Sequence, residues 1–97
     1  MYVVKLRYKH NIDACYANES VIHSANDIRN ADKSLKLSWF FLPLEKARKL
    51  VIELVGRNGQ AQGWYQPPQE LEFISIVELS NYAPYREYQV LEYREFK

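Results

Sequence analysis

The stretch PLEKARKLVIELVG, residues 43–56, predicts the one long helix of the chain and thereby decides its fold class. Its apolar residues recur every three or four positions, which places them on one face of a helix. They are Leu44, Ala47, Leu50, Val51, Leu54 and Val55. Proline is tolerated in a first helical turn and glycine often follows a last one, so Pro43 and Gly56 mark the two ends. Glu45 and Lys49 add a favourable pair four positions apart.

Segments with strand periodicity flank this helix. Residues 2–9 alternate apolar and mainly basic side chains, which predicts a strand with one apolar and one basic face. Residues 35–42 become apolar on both faces toward their end, which predicts a second strand near the centre of the sheet. After the helix, residues 71–79 and 88–96 predict two further strands. The last one changes parity, which predicts a β-bulge near Val90.

The order of elements predicts a single α+β domain over residues 1–97. Residues 10–33 are rich in asparagine and aspartate, and we expect an irregular excursion there with one short element. Residues 81–84 have turn composition, so the last two strands form an antiparallel hairpin. The expected architecture is an antiparallel sheet of about four strands with one helix on one face. The other face is either solvated or packed on something else.

The charges divide unevenly along the chain. The net charge is only +1, which argues against a general polyanion binder. Residues 1–50 carry nine Lys/Arg and five Asp/Glu, giving +4, and residues 51–97 carry four and seven, giving −3. If each half covers a different face, the domain has a basic and an acidic side, but an antiparallel sheet mixes distant segments, so we expect the strands of the two halves to interleave and average the charges.

Cysteine content and the first residues bear on location. Cys15 is the only cysteine, so no internal disulfide forms, whereas secreted domains of this size usually carry several. The segment MYVVKLRYKH has neither the pattern of a signal peptide nor that of a membrane span. We expect a cytoplasmic protein with no membrane partner.

The residue types needed for catalysis or metal binding do not form a known pattern. His10, Cys15 and His23 share one region with Asp13 and Glu19, but their spacing matches no zinc site or nucleophilic pair that we can defend. The glycines follow the helix, whereas a phosphate-binding loop precedes one. The sequence therefore predicts no enzyme, no metal and no cofactor.

Aromatic and arginine residues near two predicted loops point to a protein partner. Tryptophan, tyrosine and arginine are enriched at the residues that dominate binding energy in interfaces. The predicted contact residues are Arg57, Trp64, Tyr65, Tyr82, Tyr85, Arg86 and Tyr88. The same rings would alternatively seal the end of a small core, and the sequence leaves both interpretations open.

Two other kinds of partner are considered. A basic strand face bearing Lys5, Arg7 and Lys9, with Lys36 from the next predicted strand, is the alternative surface and would bind nucleic acid. The absence of aromatic and glycine-rich signatures of RNA-binding sheets counts against it. A homodimer through an edge strand or an uncovered sheet face is a further possibility.

The run SWFFLPLEKARKLVIEL, residues 38–54, resembles a pattern in small phage and mobile-element accessory proteins. In these, a hydrophobic strand ends in Leu-Pro-Leu and opens directly into a helix. Anti-CRISPR proteins and other inhibitors of host defence are of this kind. The resemblance implies an inhibitor that occupies a surface on a host protein, and it assigns no functional residues.

Overall fold

A computed structural model describes residues 1–9, 11–30, 37–56, 70–81 and 85–96, with only the backbone of residues 27, 29 and 30. The strands and helices in these ranges follow one another as β1 (Tyr2–Tyr8), β2 (Cys15–Ala17), β3 (Ile22–Ser24), α1 (Ala25–Asn30), a 3₁₀ turn (Leu37–Phe40), α2 (Leu44–Gly56), β4 (Leu71–Leu79) and β5 (Glu87–Glu95). Helix α2 and strands β1, β4 and β5 lie where the sequence predicts them.

The strands form one antiparallel sheet in the order β3-β2-β1-β4-β5. Strand β1 occupies the middle, where it pairs with β4 over its whole length and with β2 on its other side. Strands β3 and β5 are the two edges. The α+β prediction is confirmed, with five strands in the described part of the chain where about four were expected.

One face of the sheet packs against α2 and is called the α2 face here. Helix α2 directs Ala47, Leu50 and Leu54 onto it, and all three are almost fully buried. They meet alternate residues of β1 and β4, including Leu6 and Ile76. Burying a leucine contributes about 1.5–3 kcal/mol relative to leaving it exposed, so this apolar stripe is the main attachment of the helix.

The other face, called the α1 face, is covered over only part of its area. At one end α1 and the 3₁₀ turn bury Val3, Tyr16 and Val77 beneath Ile28 and Phe40. The sequence predicted that this second face is either exposed to solvent or packed against another element. The structure shows one part of the face packed and another part exposed. The uncovered part lies over β4 and β5.

The predicted strand at residues 35–42 is wrong. Residues 37–40 instead form the 3₁₀ turn, and residues 35 and 36 lie outside the described ranges. Residues three positions apart in a 3₁₀ helix share one side, so Leu37 and Phe40 both face the core while Trp39 is 57% exposed. Only Leu42 keeps a strand-like link, because its N–H donates to the Tyr2 carbonyl oxygen at 2.8 Å.

The region predicted as an irregular excursion contains more structure than the single short element expected. Its described part holds β2, β3 and α1. The Asn18 side-chain oxygen accepts hydrogen bonds from the N–H groups of Ser20 and Val21 at 2.8 and 2.7 Å, which forms the turn between β2 and β3. Asparagine is suited to such turns because its side chain substitutes for a backbone acceptor.

Strands β4 and β5 form the predicted antiparallel hairpin, and the predicted bulge is confirmed. Pairing jumps from Ile76↔Glu92 to Val77↔Val90, which leaves Leu91 as an extra residue on β5. A second shift leaves Tyr88 unpaired in the same way. The turn predicted at residues 81–84 falls largely outside the described residues.

Candidate protein-binding surface

Four of the contact residues predicted from the sequence have no described position in the structure. Arg57, Trp64, Tyr65 and Tyr82 lie outside the described residues, as does Lys36 of the alternative nucleic-acid surface. Their contribution to binding stays a prediction from the sequence. The surface described below is therefore built from residues of β1, β4 and β5.

The three described members of the predicted set differ in their surroundings. Tyr85 packs edge-on against Phe41, with ring centroids 4.9 Å apart and planes at 79°, so it is partly buried against the core of the α1 face. Arg86 is exposed, and its backbone N–H donates to the Ser80 hydroxyl oxygen at 2.9 Å, which holds the start of β5. Tyr88 is 74% exposed on β5. Of these three residues, Arg86 and Tyr88 are exposed, whereas Tyr85 is partly buried.

Strand β5 extends beyond both helical layers. Eight of its nine residues are exposed, and Leu91 is intermediate. Among them Tyr88, Val90 and Tyr93 are large apolar side chains with exposures of 74, 55 and 57%. These three residues are called the β5 patch. Isolated exposed apolar residues are normal on protein surfaces, but three on one edge strand form a candidate contact surface.

The β5 patch borders a groove of about 300 Å³ on the α1 face. Ser75 of β4 forms its floor, because this small residue lies between the larger Phe73 and Val77. The Ser75 hydroxyl donates to the Lys5 carbonyl oxygen at 3.0 Å, so its polar group is satisfied within the sheet. The resulting groove has an apolar wall from β5 and room for a partner side chain. It is called the Ser75 groove.

A row of stacked groups crosses the sheet beside this groove. The Arg7 guanidinium lies 5.9 Å from the centre of the Phe73 ring, and Phe73 stacks on Tyr93 with centroids 5.4 Å apart and planes at 24°. Strands β1, β4 and β5 thus each contribute one member. The stacking restrains the Tyr93 ring on one side while leaving more than half of the residue exposed. A restrained aromatic ring loses little conformational entropy when a partner binds.

The basic strand face is paired with carboxylates. Lys5 Nζ lies 2.7 Å from Glu87 Oε1, and Lys9 Nζ lies 3.3 Å from Glu70 Oε2. Arg7 forms an ion pair with Glu72. On the α2 face, Arg48 Nε lies 3.3 Å from Glu92 Oε1. Each of these pairs joins a residue of the basic half, 1–50, to a residue of the acidic half, 51–97. The strands of the two halves therefore interleave, and their opposite charges are mixed across the sheet.

A second groove flanks β5 on the α2 face. It has a volume of about 340 Å³ and lies between Val51 of α2 and the residues Glu92 and Arg94 of β5. Ile74 and Ile76 of β4 form its apolar base. Ile74 and Ile76 are themselves almost fully buried, so the groove exposes little of β4 and is bounded mainly by α2 and β5. Strand β5 therefore has a groove on each face, and no other described strand pairs with it besides β4.

Cys15 and His23, the described members of the candidate metal or nucleophile set with a thiol or imidazole, lie on opposite faces of the sheet. Cys15 is buried on the α2 face opposite Leu6, whereas His23 pairs with Tyr16 on the α1 face. His10 lies outside the described residues. Burial, followed by the influence of Cys15, raises the pKa of Tyr8 to about 12. Within the described ranges no three His, Cys, Asp or Glu side chains come together as metal ligands would.

Sequence reasoning found Tyr88 but missed Val90, Tyr93 and the groove. The sequence does contain a signal for their exposure. In residues 88–96 the apolar side chains fall on both faces of the strand with charged residues between them, so neither face can be fully buried. Ser75 was also visible as the one small residue in LEFISIVEL. Neither signal reveals an edge position until the strand order is known.

No described helix combines the length and apolar composition needed to cross a membrane. No known protein family, curated protein or solved structure matches this chain. The functional argument therefore depends on the geometry of β5 and its surroundings.

Proposed function

We propose that this protein is a non-enzymatic binding protein that covers a surface on a partner protein, with the β5 patch at the centre of the contact. The observation that carries the proposal is the presence of Tyr88, Val90 and Tyr93, each more than half exposed, on one edge strand. Such apolar surface is removed from water when a partner binds, and tyrosine is one of the residues that dominate interface energetics.

A finer proposal concerns the biological setting. The resemblance of residues 38–54 to phage and mobile-element accessory proteins supports an inhibitor of a host defence system that acts in the cytoplasm by occlusion. Such an inhibitor needs a stable scaffold and one exposed contact surface, and it needs no catalytic group. The buried sheet and the exposed β5 patch supply both requirements.

The alternative nucleic-acid module has weaker support. It requires Lys5, Arg7 and Lys9 to contact phosphates, yet each already forms an ion pair with a glutamate. These side chains could neutralise the charge of a bound phosphate only if the glutamates moved away from them. Since phosphate neutralisation supplies most non-specific affinity for nucleic acids, a compensated strip is a poor electrostatic surface.

Site-specific photo-cross-linking tests the proposal with a control of matched exposure. Tyr88 on β5 and Ile52 on α2 are 74 and 73% exposed. With p-benzoylphenylalanine at position 88, we expect a discrete adduct with one protein of a bacterial host lysate. The same probe at position 52 should give none. Equal adducts from both positions, or none from position 88, would show that β5 is not the contact surface.

Affinity measurements with the captured partner then test individual residues. Tyr93→Ala is expected to weaken binding by about 2 kcal/mol, while Ile52→Ala should change it by only a few tenths. Ser75→Leu adds a larger side chain at the floor of the groove and should also weaken binding, whereas Ser75→Ala keeps the groove open. Thermal unfolding of each variant separates lost binding from lost folding.

A further inference from the structure

We infer that a second copy of this chain pairs antiparallel with β5 over residues 91–95, about a two-fold axis at Tyr93. The inference goes beyond the proposed function and does not depend on it, because it concerns the backbone edge of β5. Four features of this segment support it, namely its open edge, its register, its charges and the aromatic row that ends at Tyr93.

The backbone of β5 has an open edge in this segment. The Phe96 N–H donates to the Glu72 carbonyl oxygen of β4 at 2.9 Å. Because successive amides of a strand point to opposite sides, the N–H groups of Tyr93 and Glu95 point away from β4. No other described strand pairs with β5 on that side. Such an edge is a template for another strand.

The register of a symmetric pair is limited to a few choices. Two identical antiparallel strands are related by a two-fold axis, so one residue lies opposite its own copy. After the bulge at Leu91, the pairing of β5 with β4 is regular from Glu92 to Glu95. An axis at Glu92, Arg94 or Glu95 places like charges opposite each other, which is destabilising. An axis at Tyr93 places a neutral residue there and sets Glu95 opposite Leu91, so that no like charges face each other.

The Tyr93 axis also makes the neighbouring charges complementary. Glu92 then lies opposite Arg94 of the second copy, and the symmetry repeats this pair. Arg94 is exposed, and among the described residues its guanidinium contacts the Phe96 ring, 4.9 Å from its centre, and no carboxylate. Arg48 approaches Oε1 of Glu92, and a carboxylate accepts hydrogen bonds at both of its oxygens. The existing pair of Arg48 and Glu92 is therefore compatible with a second arginine.

The same axis continues the stacked row of the α1 face. Arg7, Phe73 and Tyr93 form this row, which ends at the exposed side of Tyr93. At the axis the two Tyr93 residues are directly opposite, where the Cβ atoms of antiparallel strands lie about 4.5–5.5 Å apart. The rings of the two copies therefore meet, and the row passes from one sheet into the other. Aromatic cross-strand pairs stabilise a sheet.

Pairing of this kind joins two five-stranded sheets into one. The axis is perpendicular to the sheet, so both α1 faces lie on the same side and the two β5 patches become neighbours. Tyr88 and Val90 lie outside the paired segment and stay available to a partner protein. Because the paired segment is short, the interface is small, and small interfaces associate weakly. We therefore expect a monomer in dilute solution and a dimer at high concentration.

Charge-exchange variants test this register with the purified chain. Glu92→Arg and Arg94→Glu each place two like-charge pairs across the axis, so each variant should dimerise at least about tenfold more weakly than the unaltered chain. An equimolar mixture of the two variants restores opposite charges in the mixed dimer, and association should return. Sedimentation equilibrium of the unaltered chain, of each variant and of the mixture measures this over a concentration series into the millimolar range.

Two changes on α2 control for net charge. Glu45→Arg and Lys49→Glu alter the charge by the same amounts at exposed positions of the helix, and they should leave dimerisation unchanged. Thermal unfolding shows whether each variant is folded. The inference is overturned by a chain that remains monomeric at every concentration, by charge-exchange variants that dimerise as well as the unaltered chain, or by a mixture that associates no better than its components.

Hydrogen exchange tests the backbone contact without a variant. In the dimer the Tyr93 N–H donates to the Tyr93 carbonyl oxygen of the second copy, so exchange at the Tyr93 and Glu95 amides should slow as the concentration rises. Unchanged exchange at these amides in a dimer would overturn pairing through this edge. Slower exchange only after addition of the protein captured from position 88, with the chain itself monomeric, would assign the edge to that protein instead. Absence of a dimer leaves the β5 patch to be decided by the cross-linking experiment.

Discussion

Strands β1 and β5 have similar residues but opposite environments. Both combine tyrosine, valine and charged side chains, and both belong to the same antiparallel sheet. Strand β1 has neighbours on both sides and is largely buried, whereas β5 has one neighbour and is almost entirely exposed. Position in the sheet, more than composition, therefore decides whether such a strand forms the core or the surface.

The charges of the two strands do not follow this contrast. The basic residues Lys5 and Arg7 of β1 are held by glutamates from β4 and β5, which leaves the centre of the sheet nearly neutral. On β5, Glu87 and Glu92 form ion pairs with Lys5 and Arg48. The two strands therefore differ in exposure more than in unpaired charge.

Truncation of one apolar side chain on each strand should give the largest difference in stability. Leu6 of β1 is fully buried, so Leu6→Ala removes core contacts and is expected to lower the free energy of unfolding by about 3 kcal/mol. Val90 of β5 is 55% exposed, and Val90→Ala should cost under about 1 kcal/mol. Urea unfolding measures both. Similar losses would mean that β5 is buried in solution, as it would be in a dimer.

Alkaline pH should reveal the buried tyrosine of β1. Burial and then Cys15 raise the pKa of Tyr8 from 10.0 to about 12. The unfolded chain therefore loses this proton first, and stability that is complete below pH 10 falls as the pH rises toward 12. This difference in pKa corresponds to about 2.7 kcal/mol in full, and about 2 kcal/mol of it is lost by pH 11.5. Tyr8→Phe should reduce the fall in unfolding free energy by that amount.

The control for this measurement comes from β5. Tyr93→Phe makes the same chemical change on an exposed strand and retains Tyr8, so the alkaline loss due to Tyr8 should persist. Denaturant unfolding at pH 9 and at successive values up to pH 11.5 gives the comparison. A fall of equal size in the chain with and without Tyr8 would contradict the assignment.

Breaking an ion pair between the two strands should have the smallest effect. Glu87→Gln removes the partner of Lys5, and both side chains are partly exposed, so we expect a stability loss under about 1 kcal/mol that salt reduces. The measurement is urea unfolding at low and at high salt.

A triple variant extends this change to the nucleic-acid alternative. Replacing Glu70, Glu72 and Glu87 by glutamine removes the glutamate partners of Lys9, Arg7 and Lys5. If the triple variant binds an oligonucleotide and the unaltered chain does not, the ion pairs mask a basic strip on β1. Salt-dependent binding by the unaltered chain would instead favour the alternative function.

The parts of the fold that sequence predicts are those with long periodic patterns. Helix α2 and strands β1 and β4 show clear repeats over seven residues or more, because one face of each must be apolar. Strands β2 and β3 have three residues each, which is too short for alternation to be visible. Strand β2 depends on pairing with β1, and β3 depends on pairing with β2 across the turn that Asn18 forms.

The error at residues 35–42 has a different cause. An apolar run such as LSWFFL is compatible with several local structures. Large apolar side chains recur in it both at every second position, as in a strand, and at every third position, as in a 3₁₀ helix. Tertiary packing decides in favour of the 3₁₀ turn, since Leu37 and Phe40 then cover Tyr16 together. The sequence alone provides no measure of that packing.

The candidate surface was predictable only in its residue types. Tyr88 was identified because exposed tyrosines are common in interfaces, but Val90 and Tyr93 read as ordinary strand residues. Their exposure follows from the edge position of β5, which depends on the pairing of all five strands. The groove depends in turn on Ser75 lying between β1 and β5.

The central position of β1 also constrains the order of events during synthesis. Lys5 and its neighbour Ser75 are 70 positions apart, so the middle of the sheet closes only after most of the chain has been made. Until β4 emerges, the nascent segment has an apolar face and an uncompensated basic face. Contacts of such long sequence separation slow folding and prolong the exposure of sticky intermediates. We therefore expect this chain to fold more slowly than a helical protein of equal length.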